Sequence, residues 1–279
     1  MRRLVQFILS HSIFISFCAA ALSLQTLQLL SLHFNPYLLG FIFFATLAGY
    51  NAYWMISRYS FNQHIALLSF LQKNSSSFFV LLSAVAGLVY CFGKLHLVMY
   101  NVVITFILLG FYAIPVMPFK QLHFTRKAGF MKTILLAFTW AIVTTLIPLQ
   151  ISFLQMDKAE VLIFMNRFLF MLMLCIIFDK RDAAIDKIRG LQSLATGIKP
   201  SLLHYLIAII FISYLYVSYL LSAHGVRLPE VAALMVAGLA TVFVYISSLK
   251  KRGYFFYYFL VDGLMCLSTL LTSLATIPY

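Results

Sequence analysis

In a chain of 279 residues, 63% are hydrophobic and 10% charged, too little polar surface to cover a water-soluble domain, so the sequence reads as an integral membrane protein. Strand-like alternation is sustained nowhere, which leaves a transmembrane barrel out. The formal net charge of +13, carried in loops between apolar runs, implies membrane lipid as a partner and no nucleic acid.

In chain order, nine apolar stretches reach the roughly 20 residues that a spanning helix needs: 4–24, 36–57, 77–94, 97–117, 132–155, 159–178, 202–222, 229–249 and 254–276. The fold class this predicts is all-α, a polytopic bundle of about nine transmembrane helices forming one domain over residues 1–279. The first stretch follows Arg2 and Arg3 and ends in small residues near Cys18, Ala19 and Ala20. It is too long for a signal-peptide core, and Phe17 stands where a lipoprotein signal wants a small residue before Cys18. Cys18, Cys91, Cys175 and Cys266 fall in four different spans without paired spacing and read as buried free thiols. The seven histidines, from His11 to His224, show no metal spacing.

The loops divide sharply by charge. Sixteen basic residues fall on one alternating set, from Arg2, Arg3, Arg58 and Lys73 through Lys120, Arg126, Lys127 and Lys132 to Lys180–Lys199 and Lys250–Arg252. The other set holds Lys94, Lys158 and Arg227. The positive-inside rule then puts the N-terminus in the cytoplasm and the C-terminus outside, in a cytoplasmic (inner) membrane. The three long loops, 58–76, 118–131 and 179–201, all lie on the basic side, where chemistry is expected.

One of these loops opens with FDKRDAAIDKIRG, residues 178–190, which holds three of the seven acidic residues in the chain. If the segment is helical, Asp179, Asp182 and Asp186 fall within about 60° of one another. Three carboxylates on one face repel unless a cation sits among them. A solvated loop pairing these acids with Lys180, Arg181, Lys187 or Arg189 is the alternative. Laying span two over span six at an offset of 127 sets Ala52, Met55 and Tyr59 on the three aspartates, a weak sign of two four-helix repeats followed by a ninth helix. Asn51 and Arg58, seven residues apart, share a face at the corresponding end of span two.

With its two motif positions after spans two and six, the chain resembles the UbiA superfamily of intramembrane prenyltransferases over nearly its full length. The second motif of that family, DxxDxxxDxxxG, is matched by Asp179, Asp182, Asp186 and Gly190, with Ser193, Leu194 and Ala195 following. Of the first motif, NDxxDxxxD, Asn51 is kept, and Ala52, Met55 and Tyr59 stand at the aspartate positions. The resemblance implies an isoprenyl diphosphate donor and Mg2+ held by Asp179, Asp182 and Asp186, with Asp182 and Asp186 catalytic. It also implies a role for the basic loop, through Arg126, Lys127 or Lys132, in diphosphate binding, to which Asn51 and Arg58 would add. The acceptor it suggests is an aromatic or quinone precursor. Magnesium favours carboxylate and phosphate oxygens, and a leaving diphosphate needs its charge stabilised in a site that keeps water out.

A catalytically impaired binding or scaffold protein of the same fold is the alternative that the lost carboxylates suggest. Two charges inside spans, Arg167 and Asp262, cost about 3 kcal/mol each if unpaired, and their matching depth allows them to pair with one another, provided spans six and nine are neighbours.

Overall fold

The computed structural model describes residues 2–61, 67–95, 98–113, 129–188 and 197–276. Helix follows helix: α1 (Arg2–Ser10), α2 (Ile13–Leu29), α3 (Pro36–Phe61), α4 (Leu67–Lys73), α5 (Ser75–Phe92), α6 (Met99–Ala113) and α7 (Gly129–Ala141) come first. A π-helical turn, Ile142–Leu146, joins α7 to the short α8 (Ile147–Leu149); then come α9 (Lys158–Ile188), α10 (Pro200–Leu221), α11 (Leu228–Ser247), a second π turn at Phe256–Val261 and α12 (Asp262–Thr276).

Seven of these helices are long and apolar enough to cross a membrane, and α1 with α2 makes an eighth if that bent pair counts as one span. The chain is therefore an all-helical, multi-pass integral membrane protein. Two expected spans come out differently. The first is bent by 65° at Ser12, whose backbone is left-handed (φ 60, ψ 19). Nine residues of α1 reach only about 14 Å, so α1 is an amphipathic approach to the span that α2 makes. The fourth shortens to Met99–Phe111 within the described residues.

Local signals in the sequence set several helix starts. Asn35 Oδ1 accepts from the backbone N–H groups of Tyr37 (3.0 Å) and Leu38 (3.3 Å), and Pro36 takes the first helical position, where no N–H is needed. At the head of α9, Asp157 and Glu160 cap one another's backbone N–H groups at 2.8 Å each, a capping box. Glu230 accepts from Arg227 N at 3.1 Å at the head of α11. Three of the seven acids are thereby spent on helix ends. From its cap α9 runs unbroken for 31 residues, about 46 Å against a hydrocarbon core of about 30 Å. Its last turns, with the acidic motif, continue as helix beyond the apolar stretch where a loop was expected.

Around the bundle, α5 packs on α3, α3 on α2, α2 on α12, α12 on α11, α11 on α10, α10 on α9, α9 on α7 and α7 on α6. The core between them includes Cys18, Leu22, Met173, Ile177, Tyr214 and Val261, each essentially without exposure. Lipid offers no partner to a polar group, so hydroxyls turn back onto their own helices, as Ser16 does to Ser12 O (2.7 Å) and Ser23 to Ala19 O (2.9 Å). Others tie neighbouring helices. Gln25 of α2 donates to Ser268 (2.9 Å) and Thr272 (3.1 Å) of α12, and Thr26 reaches Thr144 O in the first π turn at 2.7 Å. Cys18 and Cys266 meet at the α2–α12 contact with sulfurs 3.3 Å apart. All four cysteines are free thiols, as expected.

The expected ion pair between Arg167 and Asp262 does not form. Arg167, 3% exposed, donates through Nη2 to Leu22 O (3.1 Å) and Thr26 Oγ1 (3.3 Å) of α2. A helix carbonyl and a hydroxyl thus serve it in place of an acid. The condition for that pair, that the two helices be neighbours at this depth, is not met: α9 packs on α7 and α10 and meets span nine chiefly at the π turn, whereas α12 packs on α11 and α2. Arg167→Leu and Asp262→Leu should consequently destabilise additively, to within about 0.5 kcal/mol, in a double-mutant cycle read by unfolding in detergent. A coupling above about 1 kcal/mol would mean that the two charges interact after all.

Candidate functional site

The site is built on the last turns of α9. Being three residues apart, Asp179 and Asp182 share one helix face, and both are half-buried. Asp179 Oδ2 accepts a short hydrogen bond from the hydroxyl of Thr133, which is 2% exposed near the start of α7. Packing of α7 on α9 makes this bond and brings the neighbouring Lys132, half-buried and itself engaged, towards the motif.

Asp182 is held by Arg181. The guanidinium forks onto the carboxylate, Nε to Oδ1 and Nη2 to Oδ2, both at 2.7 Å. Such bidentate pairs are the strong form of the ion pair. Three aromatic rings surround this guanidinium: its Cζ stands 4.8 Å from the ring centre of Phe178, 5.5 Å from Tyr257 and 4.8 Å from Tyr258, inside cation–π range. Both tyrosines lie in the second π turn, a kind of distortion frequent at functional sites. Next in sequence, Lys180 sits 5.6 Å over the ring of Tyr245, whose hydroxyl is 2.7 Å from His204 Nδ1.

Asp179 and Asp182 thus stand together at one end of the bundle, and Lys132 precedes in sequence the Thr133 that bonds Asp179. Asp186 lies on the same helix, but its side chain is outside the described residues, as are Arg126 and Lys127 altogether. On α3, Asn51 is 4% exposed and gives both amide hydrogens to backbone carbonyls, His11 O (2.9 Å) and Leu47 O (2.8 Å). It ties α3 to the bend between α1 and α2. Arg58 is exposed and engaged. Tyr59, at a first-motif position, packs its ring on Phe70 at 5.3 Å.

Among the described residues no three His, Cys, Asp or Glu side chains converge as a metal site would require. The two carboxylates present are nonetheless of the kind that a hard divalent cation takes. Asp182 could serve while sharing its oxygens with Arg181, because each accepts one hydrogen bond from the fork and keeps a second lone pair. Sequence reading missed Thr133 and the ring cage. The Tyr-Tyr pair at 257–258, just after the Lys250–Arg252 cluster at the head of a span, was the visible signal for the cage.

No family model matches the chain, and no curated protein matches it. One solved structure does, from work on the biosynthesis of digeranylgeranylglyceryl phosphate synthase in membranes. It covers 99% of this chain and 98% of its own, with a TM-score of 0.53 and 13% identity. At that identity the likeness establishes the fold alone.

Proposed function

We propose that the protein is a UbiA-type prenyltransferase that moves an isoprenyl group from its diphosphate to an aromatic or quinone-precursor acceptor inside a cytoplasmic membrane, with the N-terminus cytoplasmic and the C-terminus outside. The observation that carries the reading is the pair of half-buried carboxylates, Asp179 and Asp182, at the end of a membrane-spanning helix and buttressed from α7 by Thr133. The full-length fold likeness supports it.

In this reading Asp179, Asp182 and Asp186 hold Mg2+. Bound there, the metal neutralises charge on the departing diphosphate. Asp182 and Asp186 are the catalytic pair. Lys132, with Arg126 and Lys127 before it in the sequence, brings positive charge to the phosphate oxygens, and Arg58 does so from α3; the neutral amide of Asn51 would add only a polar contact, and only by giving up the carbonyls it now serves. Apolar walls between the helices exclude water, so the allylic cation meets the acceptor first.

The test is to incubate the purified protein with geranyl, farnesyl and geranylgeranyl diphosphates and Mg2+, against a panel of phenolic acceptors. Geranylgeranylglyceryl phosphate joins the panel because the similar structure belongs to a synthase named for that kind of lipid. Prenylated product, abolished by EDTA, is the expected result. The second reading, a prenyl-diphosphate-binding scaffold, is favoured by one observation: the first-motif positions hold Ala52, Met55 and Tyr59, with Tyr59 committed to an aromatic contact. Tight binding without release of diphosphate from any donor would establish it.

A further inference from the structure

Among the described residues, three side-chain polar atoms are buried without a hydrogen-bond partner: Arg167 Nη1, Arg181 Nη1 and Asp262 Oδ1. Two of them lie at the same place in the bundle: Asp262 directly follows the π turn whose Tyr257 and Tyr258 rings flank the Arg181 guanidinium. The guanidinium of Arg181 carries donors on more than one edge. Nε and Nη2 face Asp182 at 2.7 Å each, and Nη1 is buried without a hydrogen-bond partner of good geometry. On the other side, Asp262 is 2% exposed, directly follows the π turn that supplies Tyr257 and Tyr258, and leaves one oxygen bare. A bare donor and a bare acceptor, both buried, are each costly when left unmet.

We propose that Arg181 is a latch between two carboxylates. Without ligand it holds Asp182, and it passes to Asp262 when Asp182 takes up the Mg2+ of a prenyl diphosphate. Asp262 is thereby a positioning residue for the acidic motif, acting from a different helix. This inference rests on the diphosphate reading of the site.

Three features make the exchange work. Each Asp182 oxygen already accepts from the fork, so a cation taking up either must share it with the guanidinium, and a divalent ion arriving beside a guanidinium repels it. The rings of Phe178, Tyr257 and Tyr258 attract the guanidinium through their faces, an attraction without hydrogen-bond direction. They can therefore keep the cation desolvated in either orientation. Asp262 then offers the departing guanidinium an oxygen that nothing else uses, inside the bundle and away from phosphate. No bond is made or broken; only the partner of Arg181 changes.

The test measures the dissociation constant of Mg2+ at saturating geranylgeranyl thiodiphosphate, a slowly reacting donor, by calorimetry on the purified full-length protein in nanodiscs. Tyrosine emission from the cage is the second readout. With the competitor removed, Arg181→Gln should bind Mg2+ about tenfold more tightly, roughly 1.4 kcal/mol. With the second seat removed, Asp262→Asn should bind it about tenfold more weakly. In the double variant the effect of Asp262→Asn should vanish. Binding should shift tyrosine emission in the wild type and less so in Asp262→Asn. A merely structural role would weaken binding in every variant.

Asp262→Asn with wild-type affinity, or with the same loss in the Arg181→Gln background, would overturn the latch and leave the diphosphate reading standing. So would weaker binding in Arg181→Gln. A wild type that binds neither Mg2+ nor the thiodiphosphate overturns both. Arg181→Lys guards against misfolding: it keeps the charge in the cage, cannot fork, and should lie between wild type and Arg181→Gln.

Discussion

Replacing Asp179 or Asp182 by alanine is expected to abolish Mg2+-dependent binding of an isoprenyl diphosphate, weakening it at least about 100-fold, or roughly 2.8 kcal/mol. Each change strips a carboxylate from the one acidic cluster at the end of α9 and leaves the site a poorer set of oxygen donors for a hard cation. The two losses should differ in origin. Asp179 is aimed by the Thr133 hydroxyl, so Thr133→Val should reproduce part of the Asp179→Ala effect. A hydrogen bond to a charged group is worth about 1.5–3 kcal/mol, which corresponds to a loss of about tenfold or more. Asp182→Ala also strands Arg181 in its cage with no fork to fill, so that variant should lose stability as well as affinity. Asp182→Asn, which can still accept one hydrogen bond, should lose affinity with less damage to stability. Calorimetric titration of a thiodiphosphate analogue with and without Mg2+, alongside unfolding in detergent, separates these outcomes. Unchanged affinity in Asp179→Ala and Asp182→Ala would reduce the acidic face to surface decoration.

The two readings of the acidic motif weighed from sequence, a cation site and a loop of acid–base pairs, meet in one geometry. Asp182 is indeed paired with its neighbour Arg181, as the loop alternative supposed. The pair is caged among Phe178, Tyr257 and Tyr258 on a continuing helix, so it is neither a loop nor fully solvated. Helical spacing could be read because offsets of three and seven residues are local. The cage could not, since it depends on the π turn before α12 arriving beside α9, a contact about 75 residues away in sequence whose register no periodicity fixes. The same division explains the bend in the first span. A hydropathy window sums over Arg2–Leu29 and registers one apolar stretch, whereas a reversal at Ser12 costs the average nothing. The polar residues Arg3, Gln6 and Ser10, at helical spacing, were the trace of α1 as a separate amphipathic element. Arg167 shows the limit from the other side. Buried charge was legible, but the partner was a backbone carbonyl, which has no letter in the sequence.

Gly238→Ala should cost the fold about 2 kcal/mol and the site almost nothing. A methyl group at Gly238 would stand 2.5 and 2.8 Å from two ring carbons of Tyr214 and 3.3 Å from Phe211. Tyr214 has no exposure and is fixed at both ends. Its hydroxyl donates to Leu234 O at 2.8 Å, the carbonyl that the Gly238 N–H itself addresses in an α-helix. Its own carbonyl accepts from Ser218, which in turn accepts from Asn166 of α9 at 2.6 Å. The ring cannot swing aside without breaking that interlock of α9, α10 and α11. Overpacking of this kind costs about 1–3 kcal/mol, offset only in part by the roughly 0.5–1 kcal/mol that alanine gains over glycine in a helix. Tyr214→Leu removes both the ring and its hydrogen bond and should be more damaging alone, by about 2–4 kcal/mol. In that background, however, Gly238→Ala should be neutral or slightly stabilising, because the overlap has gone. A double-mutant cycle read by unfolding in detergent should therefore give a coupling of about 2 kcal/mol, within the range for residues in direct contact. Additive losses would mean that α10 and α11 do not meet at this glycine. Asn166 lies thirteen residues along α9 from Asp179, about 20 Å, so below its melting point Gly238→Ala should bind a thiodiphosphate within about twofold of wild type, a difference well under 1 kcal/mol.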